Sequence, residues 1–173
     1  MINVITILLI YNKEYGKCYF IYGKIHIDLR KNKLEKIIYL NMQVIRMINV
    51  VAAVIKNEEG KILIAQRNLK KSQGGLWEFP GGKIEPNESR EVAIIREIKE
   101  ELTIDINVEN YIGEKIFNYP DKDVNLIALE CEIVNGNIRL LEHEDAKWID
   151  ISDLDNFEFA PADIFIVESL KKM

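Results

Sequence analysis

The sequence predicts an α/β fold, a sandwich with a mixed β-sheet held between helices. Three observations predict it. Short apolar runs rich in β-branched residues recur from residue 47 onward. A strongly two-faced helical stretch, about 88–102, interrupts them. A second helix opens at Pro161-Ala162-Asp163, with proline near the first turn, where its missing N–H costs nothing. Strands that alternate with two longer helices bury their apolar faces best in layers.

Met47–Ile55, MINVVAAVI, is a buried strand by composition and length. Asn57-Glu58-Glu59-Gly60 is a turn, and Lys61–Gln66 returns as the second strand of a hairpin. Ser72–Gly75 is a polar loop. Trp77-Glu78-Phe79 leads into Pro80-Gly81-Gly82, where the backbone bends without side chains. The helix that follows runs from about Glu88 to Leu102, with Asn87 as its expected N-cap. Strands are expected near 104–117 and 124–134, and a third ends at Trp148-Ile149. Ser152-Asp153 starts a short helical turn.

Residues 1–46 are expected to stand apart from the main domain, 47–173. They alternate apolar stretches with lysine and asparagine, with turns expected at Tyr15-Gly16-Lys17 and Tyr22-Gly23-Lys24. Extra strands are one reading. Translated upstream sequence before a true start at Met47 is the other.

At 173 residues the chain suits one domain, with room for a real core. Residues 1–46 hold eight Lys/Arg and three Asp/Glu; residues 47–173 hold fifteen and twenty-five. An acidic body repels a polyanionic duplex, which disfavours nucleic-acid binding. It repels any polyanionic ligand as well, unless metal ions bridge the two. The apolar run Ile2–Tyr11 is too short to span a bilayer and lacks the basic flank of a signal peptide. No membrane partner is therefore expected. Cys18 and Cys131 form no metal or redox motif, so a reduced, cytoplasmic protein is the simplest reading. Nothing in the sequence signals an oligomeric state.

The most informative stretch is GKIEPNESREVAIIREIKEELTI, residues 82–104. At about 3.6 residues per turn, Glu97, Glu100 and Glu101 share one helix face. Ile94, Ile95, Ile98 and Leu102 fall roughly opposite, which makes one face core and the other dense negative charge. Like charges at this spacing destabilise a bare helix. Such a cluster usually holds a hard divalent cation, most often magnesium. Glu97 and Glu101 can straddle one ion, Glu100 extends the cluster towards a second, and the Gly81 carbonyl can complete the shell. A cation there neutralises the charge of an anionic ligand and lowers the pKa of bound water.

The spacing Gly82, five residues, Glu88, seven residues, then Arg96-Glu97-Ile98-Lys99-Glu100-Glu101-Leu102-Thr103-Ile104 resembles the Nudix box, GX5EX7REUXEEXGU. Eight of its nine defined positions are met; Thr103 stands where the family has glycine, at the helix exit. The resemblance covers 47–173 and implies a Nudix-type α/β/α sandwich. VVAAVIKNEEGKILIAQR, GGLWEFPGGKIEP and FAPADI resemble the MutT-type branch, which contains 8-oxo-dGTP diphosphatases and CTP pyrophosphohydrolases. It implies hydrolysis of a nucleoside triphosphate to the monophosphate and pyrophosphate, with magnesium, or alternatively manganese, as cofactor.

By the same resemblance Glu97, Glu100, Glu101 and Glu142 are catalytic, and with Gly81 they hold metal. Glu142 lies six residues before Trp148 and matches a loop glutamate that binds metal or acts as general base. Its neighbour His143 is an alternative base, or simply an exposed histidine. Arg96 and Glu88 match a structural pair that holds the loop on the helix. Substrate contacts are expected from Arg67, Ser72, Glu78, Phe79, Pro80, Gly81, Lys83 and Asp163. Arg67 matches a phosphate-contacting arginine, Glu78-Phe79 the lining of the base pocket, and Asp163 the residue that reads the base edge. Each has a plainer reading: a strand-end arginine, a core phenylalanine, a surface lysine, a helix-terminal carboxylate. Arg90 is either a phosphate contact or a surface charge.

The expected function is a pool-sanitising 8-oxo-dGTP diphosphatase, which links it to DNA replication and repair as a mutator-type protein. CTP or a modified dCTP is the alternative substrate, because an ionised Asp163 only accepts hydrogen bonds and suits either base. A non-catalytic nucleotide sensor is the alternative of another class, though such a domain is expected to lack box glutamates that are present here.

Overall fold

The structure, a computed structural model, describes residues 3–12, 17–26, 40–43, 46–119 and 122–172. The chain divides into two compact units, Met1–Arg46 with Pro120–Lys122, and Met47–Tyr119 with Asp123–Met173.

In the first unit β1 (Asn3–Asn12) and β2 (Lys17–His26) pair antiparallel, and β3 (Leu40–Gln43) joins β2. Tyr22-Gly23-Lys24, expected as a turn, lies inside β2, where Gly23 pairs with Thr6 and Met42. The flanking run of aromatic and β-branched residues outweighs one glycine. Tyr15 and Gly16 lie outside the described residues.

The second unit is built on β4 (Arg46–Lys56), β5 (Ile62–Gln66), β6 (Trp77–Glu78), β7 (Gly81–Lys83), α1 (Arg90–Leu102), β8 (Asp105–Asn118), β9 (Lys122–Asn135), β10 (Asp145–Ile149) and α2 (Ile164–Leu170). Its sheet runs in the order β10-β5-β4-β9-β8, with β6 on β5 and β7 on β4. A 3-10 helix, Ile151–Asn156, occupies the turn expected at Ser152-Asp153.

Alternation along β4 divides the core in two. Val51, Ala53 and Ile55 face α1 and pack with Ile94, Ile98 and Leu102. Ala52 and Val54 face the other way and pack with Phe165, Ile166 and Leu170 of α2. The sheet thus lies between two helices. That is why β5 reads as a continuous apolar run, with both of its faces covered. Truncating a fully buried side chain such as Ile98 to alanine costs about 2–5 kcal/mol.

Two details of α1 differ from expectation. Its N-cap is Ser89, whose hydroxyl accepts from the Val92 N–H at 3.2 Å. Asn87 takes a left-handed conformation, φ 68°, in the turn before it, so it cannot serve as the extended cap residue. Ile95, expected in the core, is 41% exposed, because the apolar stripe is narrower than four residues would make it. The C-terminus ends on Thr103 at φ 63°, its N–H donating to the Lys99 carbonyl. A left-handed exit is therefore made, and made by threonine.

Candidate active site

The loop that runs from β6 into β7 crosses β4 and meets α1. A Cβ on Gly81 would lie 2.1 Å from the Val51 carbonyl oxygen, and one on Gly82 would lie 2.2 Å from the Glu97 carboxyl carbon. At Gly81 only glycine lets the loop press against the strand backbone; at Gly82 a side chain would displace the Glu97 carboxylate. The same loop is held by Ala53 N–H donating to the Pro80 carbonyl at 2.8 Å, and by Gly81 N–H donating to Glu101 Oε2 at 3.1 Å.

Arg96 ties the loop from outside. It donates to both oxygens of Glu88, at 2.9 and 2.8 Å, and to the Lys83 carbonyl at 3.0 Å. These bonds hold the Glu88 carboxyl at about 2, well below its ordinary range. The expected structural pair is thus formed. Arg96 also reaches Glu97 at 2.9 Å and Glu100 at 3.5 Å.

The three box glutamates are not equivalent. Glu101 is 8% exposed, while the Glu100 side chain is 59% exposed at the rim. Burial pushes the Glu101 carboxyl up to about 7; nearby His143 opposes the shift, and Glu78, Glu97 and Glu142 add to it. A buried carboxylate in the company of three others is a site short of positive charge. Hard oxygen donors and excess negative charge fit a divalent cation of the magnesium type. Among the described residues no three acidic, histidine or cysteine side chains already converge on one point. Glu97 and Glu142 are instead occupied by cations of the protein: Arg96 pairs with Glu97, and Lys71 with Glu142. The Lys71 hydrogen bond lowers the Glu142 pKa.

Beyond Glu101 lies a second group of expected residues. Arg67 pairs with Glu78 and donates from Nε to the Ser72 carbonyl at 3.1 Å. The Ser72 side chain is on the exposed loop, and Lys83 is exposed. Phe79 is 3% exposed and stacks on Phe159 at 5.6 Å, so its ring belongs to the core. What the segment offers the site is backbone: Phe79 N–H donates to Asp163 Oδ1 at 2.9 Å. Asp163 is buried, 7% exposed, which pushes its carboxyl up to about 7; the Phe79 bond opposes that shift. Asp163 stands at the N-cap position of α2, where its side chain makes no cap hydrogen bond. Arg90 is held by Glu91 and lies 4.7 Å over the Tyr111 ring, as a surface charge does.

His143 departs most from expectation. Its side chain is 4% exposed and its Nε2 sits 3.3 Å from Glu78 Oε1. Lys71 is likewise a partner that spacing did not indicate. Both come from loops that fold together, with Leu69 N–H on Glu144 and Glu144 N–H on the Gln66 carbonyl. No periodicity marks such contacts.

The glycine loop, buttressed by the Arg96–Glu88 pair, thus lies over a helix with one buried glutamate, Glu101. The chain belongs to the NUDIX domain family, which matches residues 46–170. Its relatives are of the MutT type. It is 39% identical over 124 residues to the CTP pyrophosphohydrolase of Escherichia coli K12, 72% of this chain and 91% of that protein. It is 40% identical over 81 residues to the 8-oxo-dGTP diphosphatase of Proteus vulgaris, 47% of this chain and 72% of that one. The solution structure of the E. coli ORF135 protein is similar with TM-score 0.65 and 37% identity, covering 74% of this chain and 91% of that one. No helix among the described residues is long and apolar enough to cross a membrane.

Proposed function

We propose that the protein is a nucleoside triphosphate pyrophosphohydrolase that consumes one water, breaks the α–β anhydride and yields the monophosphate and pyrophosphate. Its substrate on this reading is 8-oxo-dGTP, whose removal keeps an oxidised base out of DNA synthesis. The observation that carries the proposal is Glu101: buried, bonded to the Gly81 N–H, and surrounded by the carboxylates of Glu78, Glu97 and Glu142. Glu97, Glu101 and Glu142, with Glu100 at the rim and the Gly81 carbonyl, would hold the cation. Magnesium is the expected ion and manganese the alternative. When bound, a divalent ion neutralises phosphate charge and makes water a better nucleophile.

The protein's own groups do the positioning. Glu88 and Arg96 fix the loop, so that the glycine backbone and Glu97 keep their spacing. Arg67, partly exposed beside Glu78, would meet phosphate oxygens by exchanging that partner. Asp163 is suited to the base. With a carboxyl near 7 it is protonated in part at neutral pH, so it both donates and accepts, as an asparagine amide does. That pattern suits a guanine edge and the N3 and N4–H edge of cytosine alike.

CTP is the second reading, supported by the 39% identity to a CTP pyrophosphohydrolase across 91% of its length. Pyrophosphate release from 8-oxo-dGTP, dGTP, CTP, dCTP and 5-methyl-dCTP with magnesium separates the two. A kcat/KM for 8-oxo-dGTP well above that for dGTP and CTP supports the proposal. Preference for the cytosine nucleotides transfers it to the second reading, and no pyrophosphate from any of them removes both.

A further inference from the structure

The loop between β9 and β10, residues 136–144, carries Glu142 and is held by the end of α1. The last four carbonyls of a helix have no partner within it. Here the loop supplies donors for two of them. Arg139 N–H donates to the Leu102 carbonyl and Leu141 N–H to the Glu101 carbonyl, each at 3.0 Å. The Thr103 hydroxyl donates to the Asn137 carbonyl at 3.0 Å. Ile138 packs against the core cluster that contains Ile98 and Leu102. Leu140 and Leu141 turn outward, 36% and 64% exposed. The backbone bonds, not these two side chains, therefore hold this part of the loop.

Glu101 is thus gripped twice. Its carboxylate accepts the Gly81 N–H, and its backbone carbonyl accepts the Leu141 N–H. The residue after Leu141 is Glu142, whose charge reaches the Glu101 carboxyl. One backbone bond and one residue therefore separate the helix from Glu142. The loop enters this path through Gly136, at φ 96°. A Cβ there would lie 3.1 Å from both the Ile104 Cα and the Thr103 carbonyl oxygen. Both are backbone atoms at the exit of α1, so a side chain would fit only if the loop backed away from the helix.

We propose that Gly136 is a positioning residue that acts through Glu142: its close approach to the exit of α1 lays residues 137–141 along the last helical turn and sets Glu142 beside Glu101 to hold the cation. The cation part of this inference rests on the proposed function; the anchoring of the loop on the helix does not.

The test is a double-mutant cycle on the full chain, with Gly136→Ala, Glu142→Gln and the pair, read as manganese affinity by electron paramagnetic resonance of the free ion. Gly136→Ala is expected to weaken binding roughly tenfold, the scale of losing a support behind a metal ligand. Once Glu142 is glutamine, the same change is expected to cost less than about twofold. Gly60→Ala is the control: Gly60 has φ 78° and nothing within 4 Å of its Cβ position. It carries the backbone strain without the clash, and is expected to lower Tm and leave affinity unchanged. Unchanged affinity in Gly136→Ala, or an equal loss in both backgrounds, would overturn the proposal. Should Gly136→Ala not fold, Ile138→Ala loosens the same loop and is expected to show the same dependence on Glu142. Amide hydrogen exchange reads the anchoring without metal. The Arg139 and Leu141 amides are expected to exchange slowly in the wild type and faster in Gly136→Ala, with the Ile98 amide of α1 unchanged. Fast exchange of both in the wild type would overturn the anchoring. A wild type that binds no manganese removes the cation reading and the role of Gly136 in it, while slow exchange would still uphold the anchoring.

Discussion

Glu101 and Asp163 are the same kind of group under the same constraint, yet they stand in different company. Each is buried, each is pushed up to about 7 by that burial, and each accepts a backbone N–H from the same short segment: Asp163 from Phe79, Glu101 from Gly81. Around Glu101 are the charges of Glu78, Glu97 and Glu142. Asp163 feels Glu78, but Arg67 offsets it, and its remaining surroundings are core. Burial and shifted acidity alone therefore do not tell a cation ligand from a base-reading group. The number of like charges nearby differs: Glu101 has three carboxylates about it, Glu78, Glu97 and Glu142, and Asp163 has one, Glu78.

Glu101→Gln sharpens this contrast most. It removes the charge but keeps an oxygen for the Gly81 N–H. Turnover is expected to fall by roughly two to three orders of magnitude, the scale for losing one preorganised electrostatic group, while thermal stability stays level or rises. Glu100→Gln, at the rim, is expected to fall in turnover as well. Near-normal steady-state rates in both would break the assignment of the acidic face to a cation.

Asp163→Asn is expected to act on selection. It keeps the Phe79 bond and alters only which hydrogen-bond roles the side chain can play. The ratio of kcat/KM between 8-oxo-dGTP and CTP is expected to shift by about tenfold or more, whereas Glu101→Gln lowers both together. An unchanged ratio would take Asp163 out of base recognition.

The helix that carries Glu101 was legible in the sequence because a 3.6-residue period survives any tertiary context, and the strands followed from their β-branched runs. The glycine loop was legible because glycines at fixed distance from a helix imply close approach. The cap was misplaced: Asn87 and Ser89 are both good cap residues, and the choice depended on Asn87 being used at positive φ in the preceding turn. Contacts made across 70 to 84 residues, Lys71 to Glu142 and Phe79 to Asp163, left no local trace. His143 was expected at the surface because loop residues usually are; its burial depends on two loops closing together.

The acidity of Asp163 gives a smaller effect with a definite sign. Its folded carboxyl titrates near 7 against an ordinary 3.8, so the folded chain holds a proton that the unfolded chain has released between those values. The folded state is thus favoured most below about pH 4, loses that advantage as pH rises to about 7, and changes little above. Asp163→Asn is expected to flatten the fall of Tm over this window. In metal-free protein Glu101 adds a slope of the same sign, so part of the fall remains. An unaltered slope would contradict the burial of an ionisable group at Asp163.

Thr103→Gly is expected to have the smallest effect. A β-branched residue at φ 63° is strained, and glycine removes the strain. The substitution also loses the bond from the Thr103 hydroxyl to the Asn137 carbonyl. The net gain is expected to be below about 1 kcal/mol, read as a small rise in Tm with unchanged kcat. A lower Tm would mean that the hydroxyl bond outweighs the strain.

The central claim is that the carboxylates around Glu101 hold a divalent cation. A manganese titration of the full chain, followed by electron paramagnetic resonance of the free ion, tests it without reliance on turnover. The account predicts saturable binding to the wild type, displaced by magnesium, and its loss in the Glu97→Gln/Glu101→Gln double variant. Equal binding to the folded wild type and double variant, or none to either, would contradict it.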